Sequence, residues 1–300
     1  MKVVYDFIIG QSTDYPVQIL CNAMQVSRSS FYTYQTGERY VQNDTRSERS
    51  VLVKEIFNKH RKRYGSRRIM KSLQHQNVSI GRYQVRSLMR EQGLKALQPK
   101  SFVPKTTNSR HTLGYAPNVL GEIGLPSAPN NVYVGDITYL PTTYGKWLYL
   151  NVWIDLYSRF VVGWKVDDNM EDTLAIDSLN QAVYKRRPTS GLIVHSDRAG
   201  QYASYNFKAL FANTGYIQSM SGADNPYDNA HAESFFSRFK VELLQKGAFQ
   251  SKEDAITEIF NYIEMYHNTE RLHSSIGYVP PATYEKQYYD YIEAERNAFV

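Results

Sequence analysis

The chain has 300 residues, 42% of them hydrophobic and 14% aromatic, enough to bury a core in two domains or in one domain with a sizeable extension. Its single cysteine, Cys21, excludes an intrachain disulfide and a cysteine-rich zinc site. No basic leader precedes an apolar run, and no stretch approaches the roughly 18 apolar residues of a membrane span, so the expectation is a soluble cytoplasmic protein with no membrane partner. The net charge of +6 is unevenly spread: residues 1–120 carry 20 Lys and Arg against 7 Asp and Glu, and the remaining 180 carry 15 against 22. A basic first half suggests an arm that holds a polyanion, joined to a body with another task. A solvated basic face without a partner would carry the same charge.

Near the N-terminus, Val17, Ile19, Leu20, Ala23 and Met24 form a helical stripe, broken at Gln25-Val26. Ser27 stands where an N-cap belongs and opens a second helix through Phe31 and Tyr34. In a helix-turn-helix the second helix enters a major groove, which would turn Arg28, Ser29 and Ser30 toward DNA. A helical hairpin used only for packing has the same signature.

The pattern repeats over residues 44–93. A helix from about Asp44 carries Val51, Leu52, Ile56 and Phe57 on one side and runs into His60-Arg61-Lys62-Arg63-Tyr64, ended by Gly65. Ser66 is positioned to cap a second helix with Ile69, Met70 and Leu73 inward and Arg67, Arg68 and Lys71 outward. Ser79 is positioned to cap a third, bearing Val85, Leu88 and Met89 among Arg82, Arg86 and Arg90, and Gly93 closes it. Three short helices with arginines at the turns resemble a trihelical DNA-binding unit, a solvated bundle being the alternative. Residues 96–128, with Pro99, Pro104, Pro117 and Pro126, read as a linker.

From Asn131 the period changes to two. Val132, Val134 and Asp136 alternate with Tyr133, Gly135 and Ile137; Leu148 to Leu156 and Phe160 to Val166 alternate in the same way. Three strands in succession imply an antiparallel meander. A helix over about 170–187, a short strand at 192–195, a helix over 204–213, a strand at 216–219 and long helices over 228–246 and 252–267 complete a β-β-β-α-β-α-β-α order, that of the ribonuclease H-like fold. The expected architecture is α/β, a mixed five-stranded sheet with helices, preceded by an all-α helix-turn-helix region. The segments are 1–43, 44–95, a linker 96–128, a catalytic core 129–247 and a helical extension 248–300.

Asp136 occupies a strand position where the alternation calls for an apolar side chain, which is costly unless the carboxylate is paired or binds metal. Asp197 follows the fourth strand, and Glu233 lies near the start of a helix at the edge of its Phe236, Phe239 and Leu243 stripe. A turn and a helix N-terminal charge would each account for the last two separately. Together, three carboxylates from a strand, a strand end and a helix suit a pair of Mg²⁺ ions, which take oxygen ligands and leave positions open for phosphate.

Gly135-Asp136-Ile137-Thr138-Tyr139, His195-Ser196-Asp197-Arg198 and Asn225-Pro226-Tyr227-Asp228-Asn229-Ala230-His231-Ala232-Glu233-Ser234 resemble the motifs of retrovirus-type integrase cores. The 35 residues between Asp197 and Glu233 match the Asp-Asp-35-Glu spacing, and Lys240 matches a basic residue that follows the glutamate. Asn268-Thr269-Glu270-Arg271-Leu272-His273 through Tyr278 resembles the C-terminal signature of bacterial insertion-sequence transposases of the IS-three type. Ala199-Gly200 and Gly222-Ala223-Asp224 depart from the usual pattern without touching the triad. No heptad run long enough for a leucine zipper is present, so the chain looks like the second-frame product of such an element, or a variant sufficient by itself.

The resemblance implies a metal-dependent transposase with Asp136, Asp197 and Glu233 as catalytic metal ligands, using two Mg²⁺ ions with Mn²⁺ as a substitute. It implies double-stranded DNA partners, both element ends and target, a homodimer or larger assembly on the DNA, and an upstream-frame protein partner. Bacterial cytoplasm, with the nucleoid when DNA is bound, is the implied location. Lys240 would meet phosphate, and Asn225, Asp228 and Asn229 would shape the loop before Glu233. His195 either orients the site or is a satisfied core histidine. Arg28, Arg61, Arg63, Arg67, Arg68, Arg82 and Arg86 are the candidate DNA contacts. A non-catalytic DNA-binding regulator and a nuclease of the same fold are the rival readings.

Overall fold

A computed structural model describes residues 2–36, 38–98, 113–222, 230–244 and 247–298, with the backbone alone over 38–44. The chain divides into two units, Met1–Leu97 and Gln98–Val300. Among the described residues no helix is long and apolar enough to cross a membrane.

The first unit is helical: α1 (Lys2–Gln11), α2 (Val17–Ala23), α3 (Arg28–Gln35), α4 (Glu38–Lys59), α5 (Ser66–His75) and α6 (Arg82–Glu91). Ser27 caps α3 as the sequence suggests, its hydroxyl accepting from the Ser30 N–H. The stripe on α2 is narrower than the sequence suggests, because Ile19 and Met24 face solvent while Cys21 is buried with Tyr5, Ile8 and Phe31. Helix α1, which the sequence pattern does not announce, supplies Tyr5 and Ile8 to this small core.

Helix α4 begins at Glu38 rather than near Asp44, and its inward face is Val53, Ile56 and Phe57, with Val51 exposed. It ends where Arg61 and Lys62 adopt left-handed backbone at φ 49° and 63°. The caps of α5 and α6 are Gly65 and Gly81, not Ser66 and Ser79; neither helix has a side-chain cap. Buried Ile69, Leu73, Val85, Leu88 and Met89 face inward as the periodicity predicts.

The second unit is built on a five-stranded sheet in the order β3-β2-β1-β4-β5: β1 (Val132–Pro141), β2 (Trp147–Asp155), β3 (Val161–Asp167), β4 (Ile193–Ser196) and β5 (Ile217–Met220). β1 to β3 form the antiparallel meander, and β4 and β5 add in parallel on the other side of β1. A short helix, α7 (Val119–Ile123), lies against β4 and β5 within the segment expected to be a linker, and Leu120 N–H donates to Ser219 Oγ at 3.2 Å.

Helix α8 (Asp172–Arg186) packs on β2 and β3, where Gly163 permits close approach: a Cβ there would stand 2.3 Å from the Ser178 carbonyl oxygen. The helix expected over 204–213 is shorter, α10 (Tyr205–Ala209), capped by the hydroxyl of extended Ser204, and a further short helix that the sequence does not announce, α9 (Gly200–Ala203), precedes it. Helix α11 (Ala230–Leu243) packs against β1.

The helix expected over 252–267 is α-helical only as α12 (Lys252–Phe260) and continues as a π-helical turn, Asn261–His267, which packs on β3. A last helix, α13 (Pro281–Ala298), is tied back by Glu285, which accepts from Ser158 Oγ and Arg186 Nη2, both at 2.7 Å.

Candidate active site

Asp136 lies mid-strand in β1, opposite Val152 of β2. Side chains alternate across a pleated strand, so it shares a face with Val134 and Thr138 rather than with Tyr133 and Ile137. Its Oδ1 accepts from the Ile137 N–H at 2.9 Å. The carboxyl is half-buried, and desolvation pushes it well above the usual carboxylate range. The charge of Asp197 adds to this, the Ile137 bond opposes it, Glu233 raises it further and Lys240 pulls it down.

Asp197 follows β4 and is fixed by the Ala199 N–H, 3.0 Å from its Oδ1. Burial raises this carboxyl, the Ala199 bond opposes the rise and the Glu233 charge adds to it. Ala199 has extended backbone, φ −67° and ψ 146°, which an alanine adopts without strain. Glu233 is exposed on the first turn of α11, and Lys240 is half-buried two turns along. Burial lowers the Lys240 ammonium and the Asp136 charge raises it back.

Asp136 therefore feels the charges of Asp197, Glu233 and Lys240, and Asp197 feels that of Glu233. Among the described residues, no three His, Cys, Asp or Glu side chains are set to hold a metal as they stand. In donor type, however, the three carboxylates fit a hard divalent cation, whose charge would relieve the repulsion raising Asp136 and Asp197.

His195 is fully buried in β4. Its Nδ1 lies 2.9 Å from Ser219 Oγ and its Nε2 3.2 Å from Ser221 Oγ, so both ring nitrogens are engaged along the β4–β5 seam. This is the environment of a satisfied core histidine, on the strand that leads to Asp197. Asn225, Asp228 and Asn229 lie outside the described residues. In the helical unit Arg28, Arg61, Arg67, Arg82 and Arg86 are exposed, while Arg63 and Arg68 are half-buried. The Arg68 guanidinium stands 5.6 Å from the Tyr64 ring centre.

Several supporting residues escape sequence reasoning. On the face of β1 opposite Asp136, Asn151 turns its amide N–H groups to Tyr202 Oη (2.5 Å) and the Asp136 carbonyl (3.0 Å). Its amide oxygen accepts from Trp153 Nε1 (3.0 Å) and Ser178 Oγ (2.5 Å). Tyr202 is fully buried; desolvation, then the charges of Asp136 and Asp197, hold its phenol well above the usual range. A lone asparagine between Tyr149 and Trp153 is a sequence signal for a buried polar position, though not for its partners. Gly135 is required beside it: a Cβ would stand 2.4 Å from Cζ3 of Trp153, its cross-strand partner. His231, pushed down to about 4 by burial and by Arg159, accepts as a neutral ring from Arg159 Nη1 at 3.0 Å.

The order and pairing of the five strands are those of an integrase-core protein. The integrase core domain family matches residues 126–226, a second integrase core family matches 214–281, and an HTH-like domain family matches 44–102. The chain is 40% identical to the transposase for insertion sequence element IS904 of Lactococcus lactis, over 80% of its own length and 95% of that protein. It is 36% identical to transposase InsF for insertion sequence IS3A of Escherichia coli, over 94% and 98% of the two chains. It is 35% identical to an uncharacterized 31 kDa protein of insertion element IS600 of Shigella sonnei, over 90% and 98%. Among solved structures, the HTLV-2 integrase catalytic core in complex with magnesium aligns at 16% identity and TM-score 0.38, over 49% of this chain and 90% of that one. The chain belongs to the IS3-type family of bacterial insertion-sequence transposases.

Proposed function

We propose that the chain binds the inverted repeats of its element through the helical unit and catalyses divalent-metal-dependent cleavage and joining of DNA strands at Asp136, Asp197 and Glu233. What supports this reading is Asp136 in the middle of β1, raised first by burial and then by the charge of Asp197, with Glu233 and Lys240 near enough for their charges to act on it as well. Two Mg²⁺ ions held by these carboxylates, with Mn²⁺ able to replace them, would activate the attacking oxygen and stabilise the leaving one.

Lys240, its charge favoured by Asp136, would meet a non-bridging oxygen of the scissile phosphate. Water attacks the phosphodiester at the element end, the bond from phosphorus to the 3′ oxygen breaks, and a 3′-hydroxyl is left. That hydroxyl then attacks a second phosphodiester, releasing its 3′ oxygen, with no covalent bond to the protein. Asn225 and Asn229 would shape the approach to Glu233, and His195 supports the seam from which Asp197 emerges. Arg28, Arg61, Arg63, Arg67, Arg68, Arg82 and Arg86 are the proposed DNA contacts, with phosphates supplying most of the affinity. Paired element ends call for a dimer or larger assembly on the DNA, in the cytoplasm beside the nucleoid, with an upstream-frame protein as a further partner.

The test is incubation of the purified chain with labelled inverted-repeat DNA and Mg²⁺ or Mn²⁺. Joined strands are expected. Nicks alone would assign a nuclease, and bound but unaltered DNA a regulator.

A further inference from the structure

Glu233 and Lys240 share one edge of α11, and a different edge of the same helix is held from outside. His231 accepts from Arg159, which follows β2, at 3.0 Å. The Phe235 ring meets His267 edge to face, with centroids 5.0 Å apart. Glu242 receives a forked contact from Arg271, Nε to Oε2 at 2.8 Å and Nη2 to Oε1 at 2.6 Å, and Tyr262 Oη donates to Oε2 at 3.0 Å. At about 100° per residue, positions 231, 235 and 242 form one stripe, roughly 170° around the helix from 233 and 240.

The clamp is anchored at its far end. Three residues before Arg271, Asn268 pairs with both main-chain groups of Val161 at the start of β3: the Val161 N–H donates to Oδ1 at 2.9 Å and Nδ2 donates to the carbonyl at 3.1 Å. Asn268 and Arg271 both belong to the C-terminal signature, which therefore ties α11 to the sheet edge. The Glu242–Arg271 pair is almost wholly buried, each residue 4% exposed or less. Apolar side chains of similar volume often serve stability as well as a buried ion pair, so such a pair suggests a directional role rather than a stabilising one.

We propose that Glu242 and Arg271 are a positioning pair that fixes the rotation of α11 about its axis and so aims Glu233 and Lys240 at Asp136. The inference rests on the triad reading given above. A roll of roughly 20° would carry a carboxylate about 5 Å from the helix axis through about 2 Å. Metal–oxygen distances tolerate only about ±0.2 Å.

The test uses the full chain with Glu242→Leu and Arg271→Met together, an apolar pair of similar volume. Thermal midpoint, inverted-repeat binding, Mn²⁺ affinity from the free-ion electron paramagnetic resonance signal, and strand cleavage are measured. Fold and DNA binding are expected to persist while Mn²⁺ affinity and cleavage rate each fall about 10–100-fold. A folded double variant that binds Mn²⁺ and cleaves like the native chain overturns the assignment. Should the double variant not fold, Arg271→Lys keeps the charge and loses the fork; unaltered Mn²⁺ affinity there overturns it equally. A native chain that neither binds Mn²⁺ nor cleaves removes the triad reading, and this proposal falls with it.

Discussion

Gly135→Ala examines the link between core packing and the candidate site. The added methyl would stand 2.4, 2.5 and 2.7 Å from Cζ3, Cε3 and Cη2 of Trp153. Ordinary carbon contacts lie at about 3.5–4.0 Å, so something must move by about 1 Å. The indole cannot swing aside easily. It is fully buried, stacks on Phe207 with centroids 6.1 Å apart, and its Nε1 lies 3.0 Å from the Ser178 hydroxyl. β1 must therefore yield, and the next residue along it is Asp136.

Overpacking of this kind costs about 1–3 kcal/mol, and each kcal/mol lowers the midpoint of a unit this size by about 2–4 °C. Thermal unfolding should thus fall by about 2–12 °C. Strand cleavage should fall further than stability explains, since about 1 Å of misplacement can cost about 10²-fold. In a Trp153→Phe background the alanine should cost less, because the smaller ring leaves room. An unchanged midpoint and rate in Gly135→Ala, or a cost independent of residue 153, would refute the reasoning.

Asp136→Asn should abolish strand cleavage yet raise the thermal midpoint of the metal-free chain at pH 7. The folded state holds the Asp136 proton more tightly than the unfolded chain does, so the native protein gains stability as pH falls through that raised range and loses it as pH rises. Melting curves should therefore show the gap between variant and native closing toward acid pH, and a gap of opposite sign would count against the buried-charge account. Lys240→Ala should lower the cleavage rate about 10²-fold with inverted-repeat binding retained, as read by single-turnover kinetics and gel shift. Arg82→Ala with Arg86→Ala should weaken DNA binding and flatten the plot of log K against log salt by about 0.9 for each phosphate that is no longer neutralised. An unchanged slope would mean that neither arginine meets a phosphate.

Much of the second unit was legible because its signals are local. Period-two alternation outlined β1 to β3, and Asp136 stood out as a charge on an apolar stripe. The helical unit was legible in its periodicity, less so in its ends. Gly65 and Gly81 cap α5 and α6 through extended backbone alone, which leaves no side-chain signature and favours the neighbouring serines on paper. The face of α4 was misjudged at Val51 because several apolar residues in succession allow more than one stripe, and tertiary packing on α5 and α6 chose Val53.

The break between α9 and α10 and the π-turn after Phe260 were also hidden. Pairings of long sequence separation stayed invisible altogether. Nothing near Glu242 announces Arg271, 29 residues away, and Asn151 gives no hint of Tyr202, 51 residues on.

The central claim, that Asp136, Asp197 and Glu233 form the catalytic triad, is met most directly by Glu233→Gln. The change keeps the size of the side chain and removes the charge that would hold metal. Native and variant chains are compared for cleavage and joining of labelled inverted-repeat DNA with Mg²⁺, with Mn²⁺, and after chelation. The account predicts joined products from the native chain that vanish on chelation and in the variant, with DNA binding equal in both. Equal joining by the variant would take Glu233 out of the mechanism and contradict the account.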